Sequence, residues 1–217
     1  MWANKNFMLL TIAYALIYGI YCGVGSTTSN LLSPFGFSPN QISIGGGSAM
    51  LSGVIGALLA GIFVDCTSLY RKTHLTLSLL IVCSIIYFYV MLHQSEAHIS
   101  YLITFCVFFG FSSVSFFPIG MSYAAELTFP LRPALVNACM NFFGQVICFF
   151  AIGLSALVTD VNANDFDSVV NAEKRKENSI TVCVIFGSCS IATLILSCFI
   201  EEDLRRVNFK QTKHSEN

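Results

Sequence analysis

Charge is scarce in this chain: Asp, Glu, Lys and Arg make up 11% of its 217 residues, against roughly 25% in an average soluble domain. That deficit excludes a water-soluble globule. Too little charge is left to cover a surface, and 20 Phe residues could not all be hidden in one aqueous core. A net charge of −1 offers no field for nucleic acid, and no nucleic-acid partner is expected. The nine Cys residues contain no C-x-x-C pair. Eight fall in apolar runs and only Cys66 in a loop, so they read as small apolar fillers rather than a metal site or disulfide framework. No nucleophile–base pair, phosphate loop or metal spacing occurs, so neither an enzyme nor a cofactor is expected. The first apolar run follows only "MWANKN" and exceeds the about 7–15 residues of a signal-peptide core. It reads as a retained span.

What is present is apolar: 55% hydrophobic residues and a mean hydropathy of +0.71. A bilayer core of ~30 Å takes about 20 apolar residues in helix. Six segments meet or approach that length: residues 7–32, 41–64, 75–92, 99–125, 134–158 and 180–200. They define an all-α integral membrane protein, a six-transmembrane-helix bundle over 7–200. An N-terminal stub (1–6) and a tail (201–217) flank it. No span carries Asp, Glu, Lys, Arg or His, so no proton relay is expected within the bilayer. Lys5, Arg71, Lys72, Arg132, Arg205, Arg206, Lys210 and Lys213 fall on one side, and Lys174, Arg175 and Lys176 on the other. The excess of basic residues predicts that both termini are cytoplasmic, with the plasma membrane as the expected location and an organelle membrane as the alternative.

Three faces stand out within the spans. The second carries Gly45, Ala49, Gly53, Ala57 and Gly61 at four-residue spacing, a small-residue stripe that predicts close helix packing. The first places Tyr14, Tyr18 and Tyr21 on one face. Their hydroxyls require a neighbouring helix or a wet cavity, and Gly19, Gly23 and Gly25 allow that helix to bend. The fifth repeats amides at Asn137, Asn141 and Gln145, drifting ~40° per step. Gln145 lies near mid-depth, where transporter sites tend to be. A hydroxyl row, Ser190, Thr193 and Ser197, marks the sixth span and suits backbone bonding.

Between the second and third spans, "GIFVDCTSLYRKT" (61–73) resembles the loop signature of the major facilitator superfamily, in the form seen in feline leukaemia virus subgroup C receptor-related (FLVCR) transporters. "PIGMSYAAELTFP" (118–130) is similar to a second motif of that family. The tail matches its D-L-R-R-x-N ending at Asp203, Leu204, Arg205, Arg206 and Asn208. The likeness runs from Asn6 to about Phe209 and covers only the C-terminal six-helix half of such a transporter.

The resemblance implies alternating-access transport of a small organic solute, with a choline/ethanolamine-type cation or haem as substrate. It implies a gating set of Asp65, Arg71, Lys72, Glu126 and Arg132 at helix ends. It also implies a cation site where Gln145 matches the family's binding glutamine and Asn141 a family asparagine. The family tyrosine falls on Cys22, with Tyr21 adjacent and Tyr18 one turn away. Ser122 stands where the family has an acid, and Arg132–Pro133 replaces an acid-containing turn. The expected partners are the lipid bilayer, a small organic solute, and either a missing N-terminal six-helix half or a second copy. A six-helix remnant acting as a receptor or scaffold is the non-transporting alternative.

Overall fold

A computed structural model describes residues 4–93, 98–159 and 168–201, side chains at 159 and 168–172 excepted. The helices are α1 (Lys5–Leu32), α2 (Pro39–Thr67), α3 (Tyr70–Leu92), α4 (Ile99–Leu127), α5 (Pro133–Thr159) and α6 (Ser168–Cys198), with a short 3-10 turn at Ser33–Phe35. All six are long and apolar enough to cross a membrane.

Local chemistry explains where the helices start and stop. Asn4 caps α1, its side chain accepting from the N–H groups of Asn6 and Phe7. Ser38 and Gln41 form a capping box ahead of α2, with Pro39 at the first helical position. These satisfy amides that would otherwise have no intrahelical partner. Ser68, at φ 55°, ends α2 in the left-handed region, and α5 opens at Pro133, where a missing N–H costs nothing. Two helices outrun their apolar segments. α3 begins at Tyr70, ahead of Leu75, and α6 at Ser168, ahead of Ile180. Apolar length marks the span, whereas helical hydrogen bonding continues into the polar flanks.

α2 packs most extensively on α4, and α1 on α5; α3 bridges α4 and α6. α1 and α4 are therefore the inner helices, while only 22% of the apolar window of α2 and 17% of that of α5 are buried. Met50, Leu51 and Leu58 of α2, with Phe149 and Leu157 of α5, are largely exposed. In water such a surface would be an association hazard; in a bilayer it faces a solvent as apolar as itself.

The α2–α4 seam corrects the expected stripe. Gly45 lies against Cys106 and Leu102, Ala49 against Gly110, and Gly53 against Val114. The next contact is made by Gly56, against Phe111 and Ser115, while a Cβ on Gly61 would meet nothing within 4 Å. Steps of four drift by ~40° in a helix of 3.6 residues per turn, so after Gly53 a step of three keeps the contact on the seam. Gly61 rotates off it, while Ala57 is half-buried. The closest point is Gly110, where a Cβ would lie 2.2 Å from the Ala49 carbonyl oxygen. Only a glycine admits backbone at that range.

The end of the bundle holding the N-terminus of α1 is tied by side chains to helix ends. Asn4 Nδ2 donates to the Leu127 carbonyl (3.0 Å), Asn6 Nδ2 to that of Glu201 (3.3 Å), and Arg71 to that of Cys198 (3.2 Å). Tyr123 donates to the Glu201 carbonyl at 3.4 Å. A cation or amide donor at a helix C-terminus meets carbonyls that lack intrahelical partners. In the sixth helix the hydroxyl row bonds as expected: Ser190 to the Gly187 carbonyl and Thr193 to that of Cys189. Ser197 approaches the Ser78 hydroxyl of α3 at 3.4 Å.

Two buried groups depart from the sequence reading. Glu126, expected at a helix end just beyond the span, lies in the last turn of α4 but is only 5% exposed, because that whole turn, Tyr123 to Leu127, is buried. His74 was placed outside every span, yet it is 1% exposed and lies over Phe116 at 4.4 Å between centroids. It falls one turn before Leu77 and Ser78 on the buried face of α3, so the helix carries it inward. Its Nε2 makes no hydrogen bond among the described residues.

Candidate functional site

The tyrosine face of α1 meets the amide face of α5. Tyr14 donates to Asn141 Oδ1 at 2.9 Å, and Gln145 Nε2 donates to the Tyr18 hydroxyl at 2.7 Å. Both pairs are separated by 127 residues, so one step of four along α1 matches one step of four along α5. The two helices are parallel neighbours in register, and the bonds form successive rungs. The same register puts Leu10 opposite Asn137. Leu10 is fully buried and carries no hydroxyl, and Asn137 Oδ1 has no hydrogen bond among the described residues.

Close approach depends on Gly144, which lies between the two amides on the same face. A Cβ there would sit 3.2 Å from Tyr18 Cγ and 3.3 Å from Tyr14 Cε1. Without it the rings lie against bare backbone. Phe117 of α4 closes the cluster from the other side. Its centroid is 5.7 Å from Tyr14, 5.4 Å from Tyr18 and 5.5 Å from Tyr21, each pair tilted or edge-on. These separations fall in the favourable range for aromatic pairs. Tyr14 and Tyr18 stack at 6.1 Å.

The sequence-predicted residues divide between two neighbouring surfaces. Gln145, Asn141 and Tyr18 belong to the rungs, with both amides exposed and Tyr18 half-buried. Tyr21 and Cys22 line a cleft of about 480 Å³ between α1, α2 and α4, together with Gly46, Phe105 and Phe109. Tyr21 stacks on Phe109 at 6.3 Å. α1 stays helical through Gly19, Gly23 and Gly25 to Leu32, so no unwinding brings Tyr21 to the position of the half-buried Cys22. Phe117 joins the two surfaces because its ring touches all three tyrosines.

Phe117 and Gly144 were not singled out from sequence. The available signals were a Phe immediately before an intrahelical proline and a glycine on the amide face. The six side chains Tyr14, Tyr18, Tyr21, Phe117, Asn141 and Gln145 present ring faces, hydroxyls and amides, and none is a carboxylate or an ammonium. Such a surface can hold a cation by ring quadrupole and amide dipole without desolvating an acid.

The expected gating residues differ in exposure. Asp65, Lys72 and Arg132 are exposed, Arg71 caps α6, and Glu126 is buried. The tail motif 203–208 lies outside the described residues.

No protein-family model matches the chain. Similarity to curated proteins is extensive. The chain is 24% identical over 213 residues to the choline/ethanolamine transporter FLVCR1 of Mus musculus, covering 94% of this chain and 34% of that protein. Identity to choline/ethanolamine transporter flvcr2a of Danio rerio is 27% over 212 residues, covering 96% and 41%. Solute carrier family 49 member A3 of the same fish is 24% identical over 207 residues, covering 94% and 43%. The likeness seen in the motifs therefore extends over nearly the whole chain, which spans about a third to two fifths of the length of these relatives. The six apolar helices and these similarities make this a multi-pass membrane protein, similar over nearly its whole length to the FLVCR transporters.

Proposed function

We propose that this chain, as a relative of the FLVCR transporters, forms one six-helix half of a solute carrier working by alternating access, and that it takes a choline- or ethanolamine-type organic cation at the tyrosine–amide face. The observation that carries the reading is the exposed Gln145 amide, fixed at 2.7 Å from Tyr18 within an aromatic cluster that contains no carboxylate or ammonium. A quaternary ammonium is weakly hydrated and attracted to ring faces, at about 0.5–2 kcal/mol per contact. A buried carboxylate would bind it more strongly but would cost several kcal/mol to desolvate.

The other wall of the cavity would come from an N-terminal half or a second copy. The poor burial of α2 and α5 supports this, because it leaves the amide face without cover from within the bundle. The basic-residue asymmetry supports cytoplasmic termini, which puts Arg71, Glu126 and Arg132 on the inner side. There the Arg71 cap on α6 would be remade as the halves rock. A non-enzymatic role is consistent with the similarity to transporters.

The test is uptake of radiolabelled choline in cells expressing the full native protein, with surface abundance measured by biotinylation. Gln145→Ala is expected to cut uptake about two- to tenfold at unchanged abundance, the scale of one net hydrogen bond. Unchanged uptake would refute the site.

A further inference from the structure

The two rungs between α1 and α5 are chemically alike and physically different. Tyr14 is 1% exposed, packed under Phe117 and against the bare backbone at Gly144. Opening its bond to Asn141 would leave a buried hydroxyl without a partner, which is costly. Tyr18 is half-buried and its partner Gln145 is exposed, so the second rung sits at the accessible edge of the same ladder. Packing against Tyr14 and Phe117 holds the Tyr18 ring in place, and the hydroxyl is delivered to Gln145 with little further loss of freedom.

An amide has two N–H donors and one carbonyl. A pre-placed hydroxyl at 2.7 Å consumes one donor of the group that a solute would need to engage. We propose that Tyr18 is a specificity-determining latch: in the empty site it occupies Gln145, and a solute binds only by replacing that hydrogen bond. The inference rests on the proposed reading of the site as a solute site. Tyr14–Asn141 is the fixed rung that holds the helices in register, and Tyr18–Gln145 is the one that opens. The latch sets a threshold. A solute able to offer Gln145 a replacement acceptor, such as a hydroxyl beside its cationic centre, exchanges one bond for another. A solute without one leaves that N–H without the acceptor it had in the empty site.

The experiment is equilibrium binding of radiolabelled choline to the purified full-length native protein in nanodiscs, for the wild type, Tyr18→Phe and Gln145→Ala. Tyr18→Phe keeps the ring and its packing but removes the competing hydroxyl. Choline should bind it about two- to tenfold more tightly than it binds the wild type, the span of one net hydrogen bond, while Gln145→Ala binds more weakly than both. If wild type binds and Tyr18→Phe binds equally or more weakly, the latch is overturned and Tyr18 is a direct contact or a packing residue, with the site reading intact. If neither binds choline, the site reading and the latch fall together. Melting temperature separates the rungs independently: Tyr14→Phe should lower it more than Tyr18→Phe, and equal losses would count against the distinction.

Discussion

Replacing Gly110 by Ala adds one methyl group at the tightest point between α2 and α4. Its carbon would lie 2.2 Å from the Ala49 carbonyl oxygen and 2.7 Å from the carbonyl carbon and Cα of the same residue. Those atoms are backbone, so no rotamer change relieves the clash. An ordinary contact begins near 3.4 Å, which requires the helices to part locally by about 1 Å. A gap of that size forfeits roughly a quarter to a half of the dispersion well for each facing pair, and in lipid no hydrophobic effect exists to compensate. Overpacking typically costs about 1–3 kcal/mol, and rigid backbone puts this site at the upper end. The better helix propensity of Ala returns about 1 kcal/mol, leaving a net loss of about 2 kcal/mol. Gly61→Ala is the control. It is the same substitution in the small-residue stripe, but in open space, so only the propensity term applies and the variant should gain up to about 1 kcal/mol. Unfolding by sodium dodecyl sulfate in mixed micelles, followed by far-ultraviolet circular dichroism, would measure both. A Gly110→Ala protein as stable as wild type, or equal losses in the two variants, would refute the seam as described.

Gly144→Ala should disturb binding more than stability, because its methyl would press on both tyrosine rings at 3.2–3.3 Å and shift the rungs by a few tenths of an ångström. Choline affinity is expected to fall several-fold with at most about 1 kcal/mol of lost stability, and unaltered affinity would show that ring position is not critical. Asn137→Leu removes a carbonyl oxygen that is buried without a hydrogen bond among the described residues. It should leave stability unchanged or raise it by about 1–3 kcal/mol, the penalty of an unsatisfied group; a clear loss in the same micelle titration would mean that the amide is satisfied in the folded protein.

The bundle was legible because its signals are periodic and local. Six apolar runs separated by prolines and polar turns read directly as spans, and the spacings of Tyr14, Tyr18, Asn141 and Gln145 placed each residue on a helix face. Periodicity cannot say which faces meet, so the pairing of α1 with α5 in a common register emerged only from the fold. Phe117 was invisible for a related reason: in a run as aromatic as "FFGFSSVSFFP" one phenylalanine looks like its neighbours until another helix selects it. The stripe on α2 was half right. Four-residue spacing describes small residues well over two turns, but a straight seam needs an occasional step of three, which handed the contact to Gly56. The burial of His74 and Glu126 was hidden because the end of an apolar run is not the end of burial. A helix carries its buried face past that point wherever neighbouring helices continue alongside.

The contact between Gly110 and Ala49 also bears on how the bundle can deform. Two helices touching backbone to backbone along several turns, with small groups interdigitated, resist sliding and twisting and act as one stiff beam. α1 and α5 are joined differently, by hydroxyl–amide tips that tolerate changes of angle without losing contact. Between the beam and this more compliant pair lie the rings of Phe117, Phe109 and Tyr21, whose flat faces meet one another without hydrogen bonds between the rings. Strain imposed on the bundle from either membrane face would therefore collect at the aromatic layer, beside Tyr18 and Gln145, and leave the beam unbent.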